Sequence, residues 1–348
     1  MKKLLPMAVF ICGTFTVDAQ NREAEEKRCG IMEYLEQQKK SDPTLESQRQ
    51  ALETSTQEWI KNNQDQQGTS RGVVTIPVVV HIIYANASTN ISDARVNSQI
   101  NILNTDFGGQ STQTMSPFTN NFKANTEIKF CLAKRDPSGK ATTGIQRRTG
   151  AGVPAEFTLP GNNMKHYSTG GLDQWDRKKY MNIWVCNSSN LIMGFAEFPT
   201  PLLSENYGVV IKYKYMGADP SLQSPYNIGR TSTHEISHCF NLKHIWGDDN
   251  GACTGTDDCA DTPNQAANNN SQPKAGVITD ACSPSAPGIM WMNFQDYTAD
   301  IYMANFTPNQ KARMQALFPS GQPLYNLSTS DACNAVGIEE TENIQNIN

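Results

Sequence analysis

His234-Glu235-Ile236-Ser237-His238-Cys239-Phe240-Asn241-Leu242-Lys243-His244 gathers three of the chain's five histidines into one short stretch. On a helix, residues four apart share a face, so His234 and His238 can offer imidazole nitrogens to one metal ion. Glu235 lies beside the first of them, free to hold a metal-bound water and take its proton. His244 is beyond reach from the same straight helix. The helix must therefore stop and the chain turn back. That leaves three protein ligands and one open position, the arrangement of a catalytic zinc site. Asn241 stands at the turn, and asparagine is the residue after glycine that best tolerates positive φ and can cap a helix C-terminus.

Working outward, the zinc helix is expected over residues 230–241. Upstream, Val73-Val74-Thr75-Ile76-Pro77-Val78-Val79-Val80-His81-Ile82-Ile83-Tyr84 is a strongly β-forming run with Pro77 near its start. Val96, Ile100, Leu103 and Phe107 recur at helical spacing, with Ser92 or Asp93 as N-cap. Further strands are expected at 128–133, 180–186 and 208–215, and 208–215 is read as an edge that could pair with an extended substrate. A loop rich in Asp, Asn, Cys and Gly follows the zinc helix to about residue 287. A last helix is expected over 306–317, with Thr307 as N-cap and Pro308 in its first turn. Polar, helix-like stretches at 31–40 and 44–60 precede all of this. Strands and one helix, then the zinc helix, then an irregular half with a closing helix make an α+β order.

The 348 residues leave room for one catalytic domain plus smaller segments. A net charge of −5, a pI near 5.6 and the absence of a basic run give no support for nucleic-acid binding. Lys2 and Lys3 before an apolar stretch, with Val17-Asp18-Ala19 as a cleavage signal, read as a secretory leader over 1–19. No other apolar run is long enough to span a membrane. Of nine cysteines, Cys12 leaves with the leader, and the remaining eight suit an oxidising destination.

The motif His234 to His244, together with Asn293-Phe294-Gln295-Asp296-Tyr297, Asp261-Thr262-Pro263 and Tyr180-Met181-Asn182-Ile183-Trp184-Val185, resembles the pappalysin family of metzincin metalloproteases. The resemblance runs from about Thr75 to Leu317. It implies an α+β, two-subdomain metalloprotease, with a twisted mixed sheet and the active-site helix over an irregular C-terminal subdomain. It further implies a secreted, monomeric zinc endopeptidase acting on protein or peptide substrates, with His234, His238 and His244 on zinc and Glu235 as general base. Tyr297 matches a tyrosine whose hydroxyl reaches the developing oxyanion. Asp300 matches an acid that would pair with arginine or lysine just after the scissile bond. Gln295 stands where the family carries methionine under the zinc. A buried amide there costs about 1–3 kcal/mol unless hydrogen-bonded, which keeps a degenerate zinc-containing binding or adhesion protein as the alternative.

Lys27-Arg28-Cys29-Gly30 resembles a cysteine switch, in which the Cys29 thiolate fills the fourth zinc position in a latent form. Ser70-Arg71 matches an activation site, so the expected division is leader 1–19, propeptide 20–70, catalytic domain 71–335 and tail 336–348. By the same resemblance, Cys253 and Cys282 form a disulfide. Structural calcium is expected near the acidic loop, with Asp257 and Asp261 as ligands.

Overall fold

β2 (Val74–Ile83) organises the sheet, because its run of β-branched residues is buried on both faces from Ile76 onward. The computed structural model describes residues 26–63, 72–219, 221–222, 224–270 and 275–336. The expected leader, the Ser70–Arg71 bond and the tail beyond 336 lie outside the described residues. Pro77 would ordinarily disqualify an interior strand. Here Val74, Val78 and Val80 direct their backbone groups towards one neighbour, so Pro77 turns towards the other. Pairing on that second side begins only at Val78, so no ladder bond is lost.

Around β2 stand β3 (Ile128–Leu132), β4 (Ile145–Arg148) and β5 (Met181–Cys186), all parallel to it. β6 (Ile192–Ala196) and β7 (Val209–Lys212) follow, and the strand order is β1-β6-β7-β5-β2-β3, with β4 also on β2. β1 (Lys27–Cys29) adds parallel to β6, while β6 runs antiparallel to β7. The result is a twisted mixed sheet in an α+β fold. The strand expected at 208–215 is not an edge. β7 is shorter than 208–215, ends in a 3₁₀ turn at Tyr213–Tyr215, and is paired on both sides. The outer strand of the domain is β6, and β1 covers it.

Helices α1 (Ile31–Ser41) and α2 (Leu45–Asn62) follow β1 directly. α3 (Asp93–Phe107) begins at Ser92, whose side chain accepts from the Arg95 backbone, and buries Val96, Ile100, Leu103 and Phe107. α3 and α4 (Arg230–Cys239) pack on the sheet face presented by Ile76, Val78, Val80 and Ile82. Each such fully buried aliphatic side chain contributes about 1.5–3 kcal/mol. The opposite face is covered by Phe157, Leu159 and Met164, packed on Trp184, Phe195 and Val210. α5 (Pro308–Gln315) starts with a capping box between Thr307 and Gln310.

Two disulfides are formed among the described residues. Cys253 joins Cys282 within the irregular half, and Cys131 of β3 joins Cys333 across 202 residues of sequence. Cys29, Cys186, Cys239 and Cys259 are buried thiols. No helix among the described residues is long and apolar enough to cross a membrane.

Candidate metal centre and cleft

α4 is buried along its whole length, which fixes His234 and His238 on one rigid face. It ends as the spacing implies. Asn241 has φ of 63°, and the Asn241 and Leu242 amides donate to the His238 and Ser237 carbonyls at 2.9 and 3.1 Å, a Schellman closure. The reversed chain then carries His244 back to the helix. Each imidazole is held through its Nδ1: His234 by the Phe294 carbonyl at 2.8 Å, His238 by the Leu242 carbonyl at 2.7 Å, and His244 by Asp248 at 2.9 Å. These acceptors fix the protons on Nδ1 and leave Nε2 free on all three rings.

One potential ligand atom each from Cys29, His234, His238 and His244 lies within 4.8 Å of the others. His234 and His238 approach to 3.1 Å through Nε2, and the Cys29 sulfur stands 3.6 Å from His238 Nε2. Tetrahedral zinc bonds of about 2.0–2.3 Å set ligand atoms roughly 3.3–3.7 Å apart, so the cluster fits that ion. Burial, reinforced by the neighbouring imidazoles, pushes His234 and His238 well below the usual histidine range, which keeps them neutral and able to ligate. Burial raises Glu235 to about 8 and also pushes the Cys29 thiol well up. Glu235 accepts from the Cys29 sulfur at 3.3 Å, and its second oxygen is buried with no hydrogen-bond partner.

Tyr297 closes the fourth side. Its hydroxyl lies 3.3 Å from His244 Nε2 and donates to the Cys29 carbonyl at 3.4 Å. Asp296 positions this tyrosine by accepting from its amide and from Asn269 and Gln265. Gln295 sits under the histidines, where its amide nitrogen donates to the Ser237 hydroxyl and to the His234 carbonyl. Its oxygen is buried without a partner.

Asp300 is fully buried beside this centre. One oxygen meets Arg28 at 2.6 Å, and the other accepts from the Ile228 and Arg230 amides at 3.1 and 3.2 Å. Arg28 also donates to the Thr298 carbonyl and lies over the Tyr226 ring. The segment carrying Arg28 is fastened at further points. Glu26 pairs with Lys212 at 2.7 Å and accepts from Tyr215, and Glu53 of α2 accepts two 2.8 Å bonds from Arg313.

In the acidic loop, Asp261 accepts from Thr307 and Asn309 and so caps α5. Asp257 accepts from Thr262 and Cys259 through one oxygen, while the other is buried and unpartnered. Sequence reasoning passed over two residues of the centre. Asp248 stands four positions after His244, a spacing that could have marked it as the carboxylate orienting that ring. Arg28 was read only as part of the switch motif, because nothing local connects it to Asp300.

Three convergent imidazoles on a buried helix and its returning loop, under a twisted sheet, define a metzincin-type zinc metalloendopeptidase. The family profile for pregnancy-associated plasma protein-A matches residues 169–318. Mature mirolysin of Tannerella forsythia, solved with a cleaved peptide, is 42% identical with a TM-score of 0.71, over 76% of this chain and 98% of that one. A promirolysin mutant from the same organism is 37% identical with a TM-score of 0.76, over 87% and 97% of the two chains. An extracellular metalloprotease of Arthroderma benhamiae is 26% identical over 69% of this chain and 76% of its own length. The chain belongs to the pappalysin family.

Proposed function

We propose that this protein is a secreted zinc endopeptidase made as a zymogen, preferring arginine or lysine after the scissile bond. The carrying observation is the convergence of Cys29 with His234, His238 and His244 on one point. His234, His238 and His244 would hold zinc, which would supply Lewis acidity and make a water acidic enough to attack near neutral pH. Glu235 accepts a proton from the attacking water and returns it to the leaving amine. Tyr297, released from the Cys29 carbonyl, donates to the substrate oxygen as that oxygen gains charge.

Residues 20–70 act as the pro-segment, cut at Ser70–Arg71, with 1–19 as leader, 71–335 as catalytic domain and 336–348 as tail. Arg28 supports the specificity reading, since it pairs with the carboxylate assigned to the arginine pocket. Arg28 precedes Cys29, whereas a substrate's arginine follows its scissile bond. A substrate using both sites therefore runs opposite to β1, antiparallel to β6, and the pro-segment lies backwards. That polarity accounts for a cleft that holds its own chain uncut. The unpartnered oxygen of Asp257 suits calcium, with Asp261 nearby as a second donor.

The test is a cleavage profile on a peptide library with metal-loaded, processed enzyme, alongside zinc analysis. Cleavage before arginine that is lost in Glu235→Ala and loosened in Asp300→Asn is the expected result. A protein that binds zinc yet cuts no peptide would favour the binding-protein alternative, for which the half-satisfied Gln295 is the supporting observation.

A further inference from the structure

Tyr34 of α1 enters the domain away from the metal, on the sheet face opposite α4. Its ring packs on Phe195 with centroids 4.9 Å apart and is almost wholly buried. Its hydroxyl donates to Asn162 at 2.8 Å and stands 3.2 Å from the Glu197 carboxylate. Lys165, itself buried, hangs its ammonium 5.0 Å from the Tyr34 ring centre and 5.1 Å from that of Phe195, anchored by the Asn206 carbonyl at 2.7 Å. Only Tyr34 in this set belongs to the pro-segment. A further cavity of about 360 Å³ opens beside it, lined in part by Asn162, Glu197 and Asn206.

We propose that the hole filled by Tyr34 is a substrate subsite of the processed enzyme, upstream of the scissile bond and selective for a phenolic side chain. The proposal rests on the protease reading above. Its location follows from polarity. Arg28 lies on the side taken by residues after the bond, so Tyr34, beyond Cys29, lies on the other side. Phe195 is the penultimate residue of β6, the strand along which the substrate would run, and Glu197 follows its end.

The chemistry sets the selectivity. A flat apolar wall from Phe195 receives a ring, and the Lys165 ammonium faces its π-cloud. Asn162 or Glu197 accepts the one proton of a hydroxyl at the far end. Losing Tyr34 takes its hydroxyl from the Asn162 and Glu197 oxygens, and burying such acceptors without a donor is unfavourable. An aliphatic side chain fills the space but leaves both acceptors unmatched. Tyrosine offers a ring to the apolar wall and a donor to the acceptors.

The experiment uses peptides with arginine fixed after the cut and tyrosine, phenylalanine, leucine or alanine at each upstream position in turn. Processed enzyme gives kcat/KM, and Glu235→Ala, its pro-segment removed by an added protease, gives Kd by calorimetry. At one upstream position tyrosine should exceed alanine by tenfold or more. It should exceed phenylalanine by roughly threefold to tenfold, the net value of one ordinary hydrogen bond. Glu197→Gln and the milder loop variant Asn162→Ala should each draw the tyrosine-to-phenylalanine ratio towards one. A flat upstream profile in both measurements, or a ratio that neither variant moves, overturns the subsite. A tyrosine preference in Kd with no cleavage of any peptide would instead overturn the protease reading and leave the subsite standing.

Discussion

Replacing Gln295 by methionine should make this protein more stable. The amide is fully buried below the three histidines, and whichever way it is turned one of its ends lacks a partner. An unmatched buried polar atom costs about 1–3 kcal/mol. Methionine has similar length and no polar atom, so that penalty disappears. Little is lost in exchange. The Ser237 hydroxyl already donates to the His234 carbonyl at 2.7 Å, so removing the amide nitrogen orphans neither group. The two lost bonds, one of them long at 3.3 Å, offset part of the relieved penalty and leave a gain of up to about 2 kcal/mol, or up to roughly 6 °C in Tm. Differential scanning calorimetry on the zymogen, with Gln295→Leu as a shape control, reads this directly. A Tm for Gln295→Met at or below that of the parent would refute the reasoning, because it would mean the amide is matched by a group that the geometry does not reveal.

Arg28→Ala should speed maturation roughly 30-fold, from about 2 kcal/mol of lost docking energy, less than a bare buried charge would cost because Asp300 keeps two backbone donors; an unchanged time course on gels would count against the Asp300 pairing. Acid should loosen the pro-segment. Burial alone would raise Glu53, but Arg313 holds it down at about 2, below its ordinary 4.5, so its contribution is complete above about 4.5 and fades as pH falls towards 2. Hydrogen exchange of α2 between pH 7 and 3 checks this, and Glu53→Gln should flatten the response. Cys333→Ser, which opens the longest covalent loop, should cost up to about 5 kcal/mol in denaturant titrations under oxidising conditions, and nothing once both proteins are reduced.

The metal centre was legible because its chemistry is local. His234, His238 and Glu235 fall within little more than one turn of helix, and the return of His244 to the cluster is announced by Asn241, a residue fit for the left-handed turn. The long strand β2, the helix α3 and the capped α5 were legible for similar reasons, since periodicity and caps act over a few residues. What escaped is non-local. β1, β4 and β6 are three to five residues long and exist only by pairing, and Gly194 dilutes the pattern of β6. The edge was misplaced because Val209–Lys212 reads as a buried strand whatever its neighbours are, and topology alone decides which strand is outermost. The Cys131–Cys333 bond, the Arg28–Asp300 pair and the seat of Tyr34 each join segments far apart in sequence.

The Cys131–Cys333 bond encircles the metal helix, the irregular half and most of the sheet. A single internal nick anywhere between those two positions leaves both pieces on one covalent thread. Electrophoresis without reductant would then report an unbroken molecule, while the same sample with thiol would fall into fragments. The tether thus holds a nicked copy's parts together until the disulfide itself is reduced.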